Sequence, residues 1–200
     1  MRYLSPYVQK DLEKKMVWIS GPRQCGKTTL AEGILKKYKL GIYLNWDDHD
    51  DRKTILARSW SEDSQLIVLD EIHKYPKWKS WLKGAFDKTR EKHKYLVTGS
   101  ARLDVYRRGG DSLLGRYHAW RLHPFCLAEH PKEISSNEAF RRLMEFGGFP
   151  EPFLGNNALE AKRWRRERRN LVLREDVRDL EPVREITLLS LLIDQLSTRV

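Results

Sequence analysis

The chain has 200 residues, of which 40% are hydrophobic and 33% are charged, so it can form one α/β domain with a small appendage. Its formal net charge of +10 favours polyanionic partners such as nucleic acids and nucleotides. The longest aliphatic run, residues 66–69, is far too short to cross a membrane, and two cysteines cannot form a disulfide framework. We therefore expect a cytoplasmic protein that makes no membrane contact.

Short apolar runs alternate with helical patterns along the first 120 residues, after an amphipathic helix predicted over 3–15. The predicted strands are 16–20, 41–46, 65–70, 94–99 and 117–122. The predicted helices between them are 28–38, 51–60 and the segment around 78–86. This alternation is typical of a parallel sheet that is covered on both faces. We therefore expect an α/β core over residues 1–125.

The pattern becomes all helical after residue 125. Ser135 and Glu138 form a predicted capping box in front of a helix over 137–146. A basic helix is predicted over 158–173, and another helix from residue 185 to the end of the chain, without a stop signal. We therefore expect residues 126–200 to be a helical region and the start of a longer C-terminal part.

The strongest motif is GPRQCGKT, which begins at Gly21 and matches G-x-x-x-x-G-K-[ST] between a predicted strand and a predicted helix. Glycines allow the backbone N–H groups to surround phosphate oxygens, and the start of the helix favours negative charge. Lys27 is expected to reach the β- and γ-phosphates of ATP, and the hydroxyl of Thr28 to bind Mg²⁺. The candidate cofactor-binding residues are Gly21, Pro22, Arg23, Gln24, Cys25, Gly26, Lys27, Thr28 and Thr29. The alternative is a glycine turn with an incidental lysine.

Two acids, Asp70 and Glu71, follow the apolar strand predicted over 65–70. Asp70 is expected to lie beside the phosphate loop and to hold Mg²⁺, and Glu71 to act as the general base that activates water. A second acid is common in NTPases that activate water and unusual in small-molecule kinases. The alternative is that both acids cap the helix that follows.

The strand predicted over 94–99 becomes polar at its end, where open α/β sheets bind ligands. Thr98 or Ser100 could hydrogen-bond the γ-phosphate or the attacking water, although a plain turn explains these residues equally well.

Cys25 lies beside a helix start, which predicts an oxidisable thiol.

A basic segment over 162–169 contains six basic residues, one acid and Trp164. It could bind a nucleic-acid backbone, dock on an acidic neighbour, or form a solvated helix surface. The sequence leaves these three alternatives open.

The motifs GPRQCGKT, LIVLDEIHK, YLVTGSAR, LLGRY, LHPF and GGFPEP, in this order, resemble the AAA+ superfamily. They resemble in particular a prokaryotic family with a poorly characterised C-terminal domain. The resemblance implies a P-loop NTPase sheet of about five strands, with the sensor strand between the two Walker strands, and a helical lid. It places Thr98 and Ser100 at the sensor-1 position.

The same resemblance places Arg116 where an arginine finger could lie, acting on its own nucleotide or on that of a neighbour in a homo-oligomer. A surface arginine paired with an acid is the alternative reading. Arg174 and Arg178 are candidate lid arginines or members of a solvated helix face.

We therefore predict an ATP-binding, Mg²⁺-dependent AAA+-type ATPase that hydrolyses ATP to ADP, slowly or with a partner, to drive lid and partner-domain motion. The first alternative is a nucleotide-gated nucleic-acid-binding or regulatory switch with negligible turnover. A kinase acting on a small acceptor is a second alternative, for which no acceptor pocket is evident in the sequence.

Overall fold

The computed structural model describes residues 2–99, 113–172 and three later positions, 188, 192 and 195. Five strands form one sheet in the order β2-β3-β4-β1-β5, and every pair of neighbours is parallel. The strands are β1 (Met16–Ser20), β2 (Gly41–Asn45), β3 (Leu66–Asp70), β4 (Lys94–Thr98) and β5 (Tyr117–Arg121). The α/β sheet of five parallel strands is thus confirmed, with β4 between β1 and β3.

Helices flank the sheet and continue after it. They are α1 (Ser5–Leu12), α2 (Lys27–Leu35), α3 (His49–Ala57), α4 (Trp78–Thr89), α5 (Ser136–Phe146), α6 (Pro150–Gly155) and α7 (Ala158–Leu171). Short 3₁₀ helices cover Ile72–Lys74 and Leu127–Glu129. Within the helix predicted from residue 185 to residue 200, the structure describes positions 188, 192 and 195, and each of the three is helical.

The ends of α3 differ from the prediction over 51–60. The helix starts earlier because the Asp48 side chain caps it, accepting hydrogen bonds from the N–H groups of Asp50 and Asp51 at 2.9 Å each. It ends earlier because Arg58 adopts a left-handed conformation with φ of 53°. Local capping therefore shifts this helix by a few residues while leaving it between β2 and β3.

The core is built on fully buried strands. Every residue of β1 and β3 is buried, as expected for strands covered on both faces. Trp18 of β1 stacks on Tyr117 of β5 with ring centroids 3.8 Å apart, and its centroid lies 5.1 Å from that of Trp78 on α4. These aromatic contacts join β1, β5 and α4, which fixes β1 in the position from which the phosphate loop leaves the sheet.

The chain divides into two compact units, residues 1–140 and 141–200. In the second unit, Phe149 lies 5.1 Å from Trp164, and the Arg168 guanidinium lies 3.9 Å from the Phe149 ring centre. The domain boundary predicted between residues 125 and 126 stays a prediction. Within the described ranges, every helix is too short or too polar to span a bilayer.

Candidate active site

The phosphate loop connects β1 to α2 at the carboxyl edge of the sheet. Gly26 has a φ of 93° and Gln24 a φ of 62°, so two residues of the loop adopt the left-handed conformation. A Cβ at Gly21 would lie 2.4 Å from the backbone oxygen of Leu122. Glycine is therefore required at the first position because the segment after β5 packs directly against the loop.

The start of α2 is arranged for an anion. Gly26 is the N-cap and has no side chain with which to satisfy the first N–H groups, and the first turn contains no acidic residue. The buried ammonium group of Lys27 donates to the carbonyl oxygens of Gly21 at 3.1 Å and Pro22 at 2.9 Å. The positive end of α2 and the Lys27 charge therefore meet inside the loop.

Three hydroxyl groups converge on the buried Asp70 carboxylate. Thr28 Oγ1 donates to Asp70 Oδ2 at 3.0 Å, and the Tyr43 hydroxyl donates to the same oxygen. Thr98 Oγ1 donates to Asp70 Oδ1. Because both carboxylate oxygens are engaged, the orientation of Asp70 relative to Thr28 is fixed. The structure thus brings Thr28, Asp70 and Thr98 together.

Tyr43 is the contact that the sequence reasoning missed. It lies on β2, two residues before Asn45, which is the register partner of Asp70 on β3. Residues two apart on a strand share a face, so Tyr43 and Asp70 can meet once β2 and β3 are neighbours. Burial raises the pKa of the Tyr43 phenol, and the hydrogen bond to Asp70 raises that pKa further, so Tyr43 remains a donor. A polar aromatic residue inside an apolar strand was the available signal.

Glu71 follows Asp70 in a left-handed conformation with φ of 56°. Its N–H donates to the Thr98 carbonyl at 3.0 Å, which ties the turn to β4. Its Oε2 lies 3.6 Å from both His73 Nε2 and Lys74 Nζ, and Lys74 also pairs with Asp47. Burial raises the pKa of Glu71, while the nearby Lys74 charge opposes that rise.

The predicted oxidisable thiol is not favoured by its surroundings. Cys25 is fully buried and its Sγ lies 3.5 Å from the Leu122 carbonyl oxygen. Burial raises the pKa of the Cys25 thiol despite the opposing charges of Lys27 and Arg2. Because the thiolate is the reactive form, burial and the raised pKa disfavour a reactive Cys25, and its oxidation stays a prediction.

Arg116 does not join the loop within one chain. It directly precedes β5, so it lies at the amino edge of the parallel sheet, opposite the phosphate loop. Its guanidinium forms a two-pronged ion pair with Asp87 of α4, at 2.7 and 3.0 Å. Ser100, Arg174 and Arg178 lie outside the described residues.

The family comparison covers both parts of the chain. The model of a family described as an AAA domain matches residues 13–130, and that of a domain of unknown function matches residues 137–200. Uncharacterised proteins of Mycobacterium bovis and Mycobacterium tuberculosis are each 28% identical over 153 residues, or 75% of this chain and 33% of the relative. The chain therefore spans about a third of the length of these curated relatives.

Solved structures share the fold at low identity. The Walker-type ATPase of Pyrococcus abyssi superimposes with a TM-score of 0.54 at 15% identity, over 88% of this chain and 73% of that one. The Aeropyrum pernix ORC1 protein, solved in complex with DNA, superimposes with a TM-score of 0.50 at 14% identity, over 82% of this chain and 59% of that one. The AAA domain model matches more than half of the residues of this chain. The chain therefore belongs to the AAA domain family, as a P-loop ATPase core followed by a domain of unknown function.

Proposed function

We propose that this chain binds ATP with Mg²⁺ and hydrolyses it to ADP, slowly or under stimulation by a partner. The nucleotide state then moves the helical lid and the partner domain. The observation that carries the proposal is the convergence of Thr28, Asp70 and Thr98 beside the Lys27 loop. Phosphate chemistry of this kind depends mainly on positioning and on charge stabilisation.

The loop residues would hold the phosphates. The N–H groups of the segment 21–29 and the positive end of α2 supply hydrogen-bond donors. Lys27 would move its donors from the carbonyl oxygens of Gly21 and Pro22 to the β- and γ-phosphates. Arg23 and Gln24 lie within the loop, and Thr29 lies in the first turn of α2.

Thr28 and Asp70 fit a magnesium ion. Their oxygens lie 3.0 Å apart, and hydroxyl and carboxylate oxygens are the hard ligands that Mg²⁺ prefers. When bound, Mg²⁺ would neutralise phosphate charge during transfer. Asp70 would accept hydrogen bonds from the ion's water shell while Thr98 and Tyr43 keep the carboxylate in place.

Glu71 is the proposed general base, accepting a proton from the attacking water. Thr98 and Ser100 are the proposed sensor residues near the γ-phosphate.

Arg116 lies at the other edge of the sheet, so an arginine-finger role requires a neighbouring subunit and release from Asp87. We therefore propose a homo-oligomer as the form in which turnover is fastest.

A nucleotide-gated switch with negligible turnover is the second candidate. It is favoured by the contacts of Glu71, which lies 3.6 Å from both His73 and Lys74, and by the distant placement of Arg116. In this reading the basic helix segment 162–169 would bind nucleic acid.

The cytoplasm is the compartment we propose, because both cysteines are free thiols.

The experiment that separates the candidates is phosphate release from ATP by the purified chain, with Mg²⁺ or with a chelator, and with or without duplex DNA. Hydrolysis that requires Mg²⁺ supports the ATPase. ATP binding without phosphate release in all conditions supports the switch.

Replacing Tyr43 with phenylalanine is expected to weaken the apparent affinity for Mg²⁺ about tenfold, since the hydroxyl helps to orient the Asp70 carboxylate. The measurement is calorimetric titration of Mg²⁺ into the chain with ATP present. Tyr75→Phe is the matched control, because the Tyr75 ring stacks on Trp46 and its hydroxyl has no hydrogen bond to a described residue. An unchanged or tighter Mg²⁺ affinity in Tyr43→Phe would contradict the positioning role.

A further inference from the structure

The amino edge of the sheet, opposite the phosphate loop, is rich in lysine. The helices α1 and α2 both end there, because each runs back across the sheet to the start of a strand. Six lysines lie in the last turn of α1 or in the segments that follow the two helices, and together we call them the lysine face. They are Lys10, Lys14, Lys15, Lys36, Lys37 and Lys39.

The two halves of the lysine face are joined by contacts. Lys37 Nζ donates to Gln9 Oε1 at 3.2 Å, which links the end of α2 to α1. Lys94, the first residue of β4, pairs with Glu13 after α1 and lies 5.3 Å from the ring centre of Tyr38 after α2. The ends of α1 and α2, which carry the six lysines, therefore lie beside each other at the start of β4.

Their charges are not neutralised locally. Within residues 2–99 and 113–172, none of the six lysines forms an ion pair with a carboxylate. Several acids at this edge pair with other cations: Glu13 with Lys94, Glu62 with Lys92, and Asp87 with Arg116. Asp11 and Glu32, in the last turns of α1 and α2, form no ion pair with a described residue, so six lysines face two unpaired carboxylates at these helix ends. A concentration of unpaired positive charge remains, and such a surface attracts polyanions over distances of about a Debye length, roughly 10 Å.

The basic helix α7 offers less available charge than its sequence predicts. Arg163 pairs with Glu167 at 2.9 Å, and Arg165 donates to the Glu145 carbonyl at 3.2 Å. Arg168 stacks over the Phe149 ring at 3.9 Å. Three of the basic residues that favoured α7 as a nucleic-acid surface are therefore engaged within their own unit.

We infer that the lysine face binds the phosphate backbone of nucleic acid. Lysines act as point charges, which suits a regular row of phosphates without base readout. Protein interfaces are instead depleted in lysine and enriched in aromatic residues and arginine. Membrane-surface segments interleave basic and large apolar residues, whereas Leu40 is the exposed large apolar side chain adjoining these lysines. The inference does not rest on the proposed ATP hydrolysis.

The test compares two variants of the whole chain with the same net charge. The first replaces Lys14, Lys15, Lys36 and Lys39 with glutamine. The control replaces Lys53, Lys77, Lys83 and Lys132 with glutamine. Binding of a fluorescent DNA duplex is followed by anisotropy over a series of salt concentrations. Melting temperatures of both variants are measured in parallel.

We expect the lysine-face variant to bind DNA at least about tenfold more weakly. The slope of its log affinity against log salt concentration should become smaller by about three to four, close to one for each phosphate contact that is lost. The control variant should keep most of the affinity and of the salt dependence. Equal losses in both variants would mean that only net charge matters, and would overturn the inference.

Three other results would also overturn it. The first is a loss of DNA binding on replacing Lys162, Arg166 and Arg169 with glutamine, while the lysine-face variant still binds. The second is binding to vesicles of anionic lipid by a chain that does not bind DNA. The third is a lower melting temperature of the lysine-face variant with unchanged DNA affinity, which would show that the lysines only stabilise helix ends.

Discussion

Replacing Glu71 with glutamine is expected to lower the rate of ATP hydrolysis at least about a hundredfold, the usual contribution of a positioned general base. ATP binding should stay close to that of the unchanged chain. Glutamine has nearly the same shape and can occupy the same turn between Asp70 and Ile72, but it cannot take a proton from water. The measurements are steady-state phosphate release and equilibrium binding of a fluorescent ATP analogue.

The matched control is Glu62→Gln, because Glu62 is exposed and pairs with Lys92 away from the loop. This variant should hydrolyse ATP at the rate of the unchanged chain. Equal turnover by Glu71→Gln and Glu62→Gln would remove Glu71 from the chemistry. The contacts of Glu71 with Lys74 and His73 would then have a structural role.

Replacing Lys27 with alanine is expected to weaken ATP binding by about ten- to a hundredfold, since a hydrogen bond to a charged group contributes about 1.5–3 kcal/mol. Hydrolysis should fall with it, because the same ammonium group would stabilise charge on the γ-phosphate. The measurement is calorimetric titration of ATP into the variant in the presence of Mg²⁺.

Lys53→Ala is the control for Lys27→Ala, because Lys53 is exposed on α3 and pairs with Asp50. It removes the same charge and should leave ATP affinity unchanged. The melting temperature of each variant separates lost binding from lost folding, since Lys27 also donates to two loop carbonyl oxygens. Unchanged ATP affinity in a folded Lys27→Ala chain would contradict the proposed site.

The sheet was largely predictable from the sequence because its strands are short and apolar, and they are separated by amphipathic helices. The predicted strand 16–20 agrees with β1 residue for residue, and the others end within one residue of the prediction. The position of β4 between β1 and β3 came from the family resemblance. Helix ends were less predictable, because the left-handed conformation of Arg58 has no clear signal in a basic residue.

The limits of the sequence are clearest at the site. The loop and the acid pair are contiguous motifs, so their residues could be named from spacing alone. The bond from Tyr43 to Asp70 depends on which strands are neighbours and on their register, which spacing does not give. Arg116 lies within the motif LLGRY, yet the parallel direction of β5 places it at the edge of the sheet opposite the phosphate loop.

The proposed role of Glu71 as the base in ATP hydrolysis can be checked in one single-turnover assay, which follows trace ATP bound to excess protein with Mg²⁺. We expect the unchanged chain to convert bound ATP to ADP, and Glu71→Gln to retain it as ATP. Conversion at equal rates by both chains, or retention of intact ATP by both, would exclude hydrolysis with Glu71 as the base.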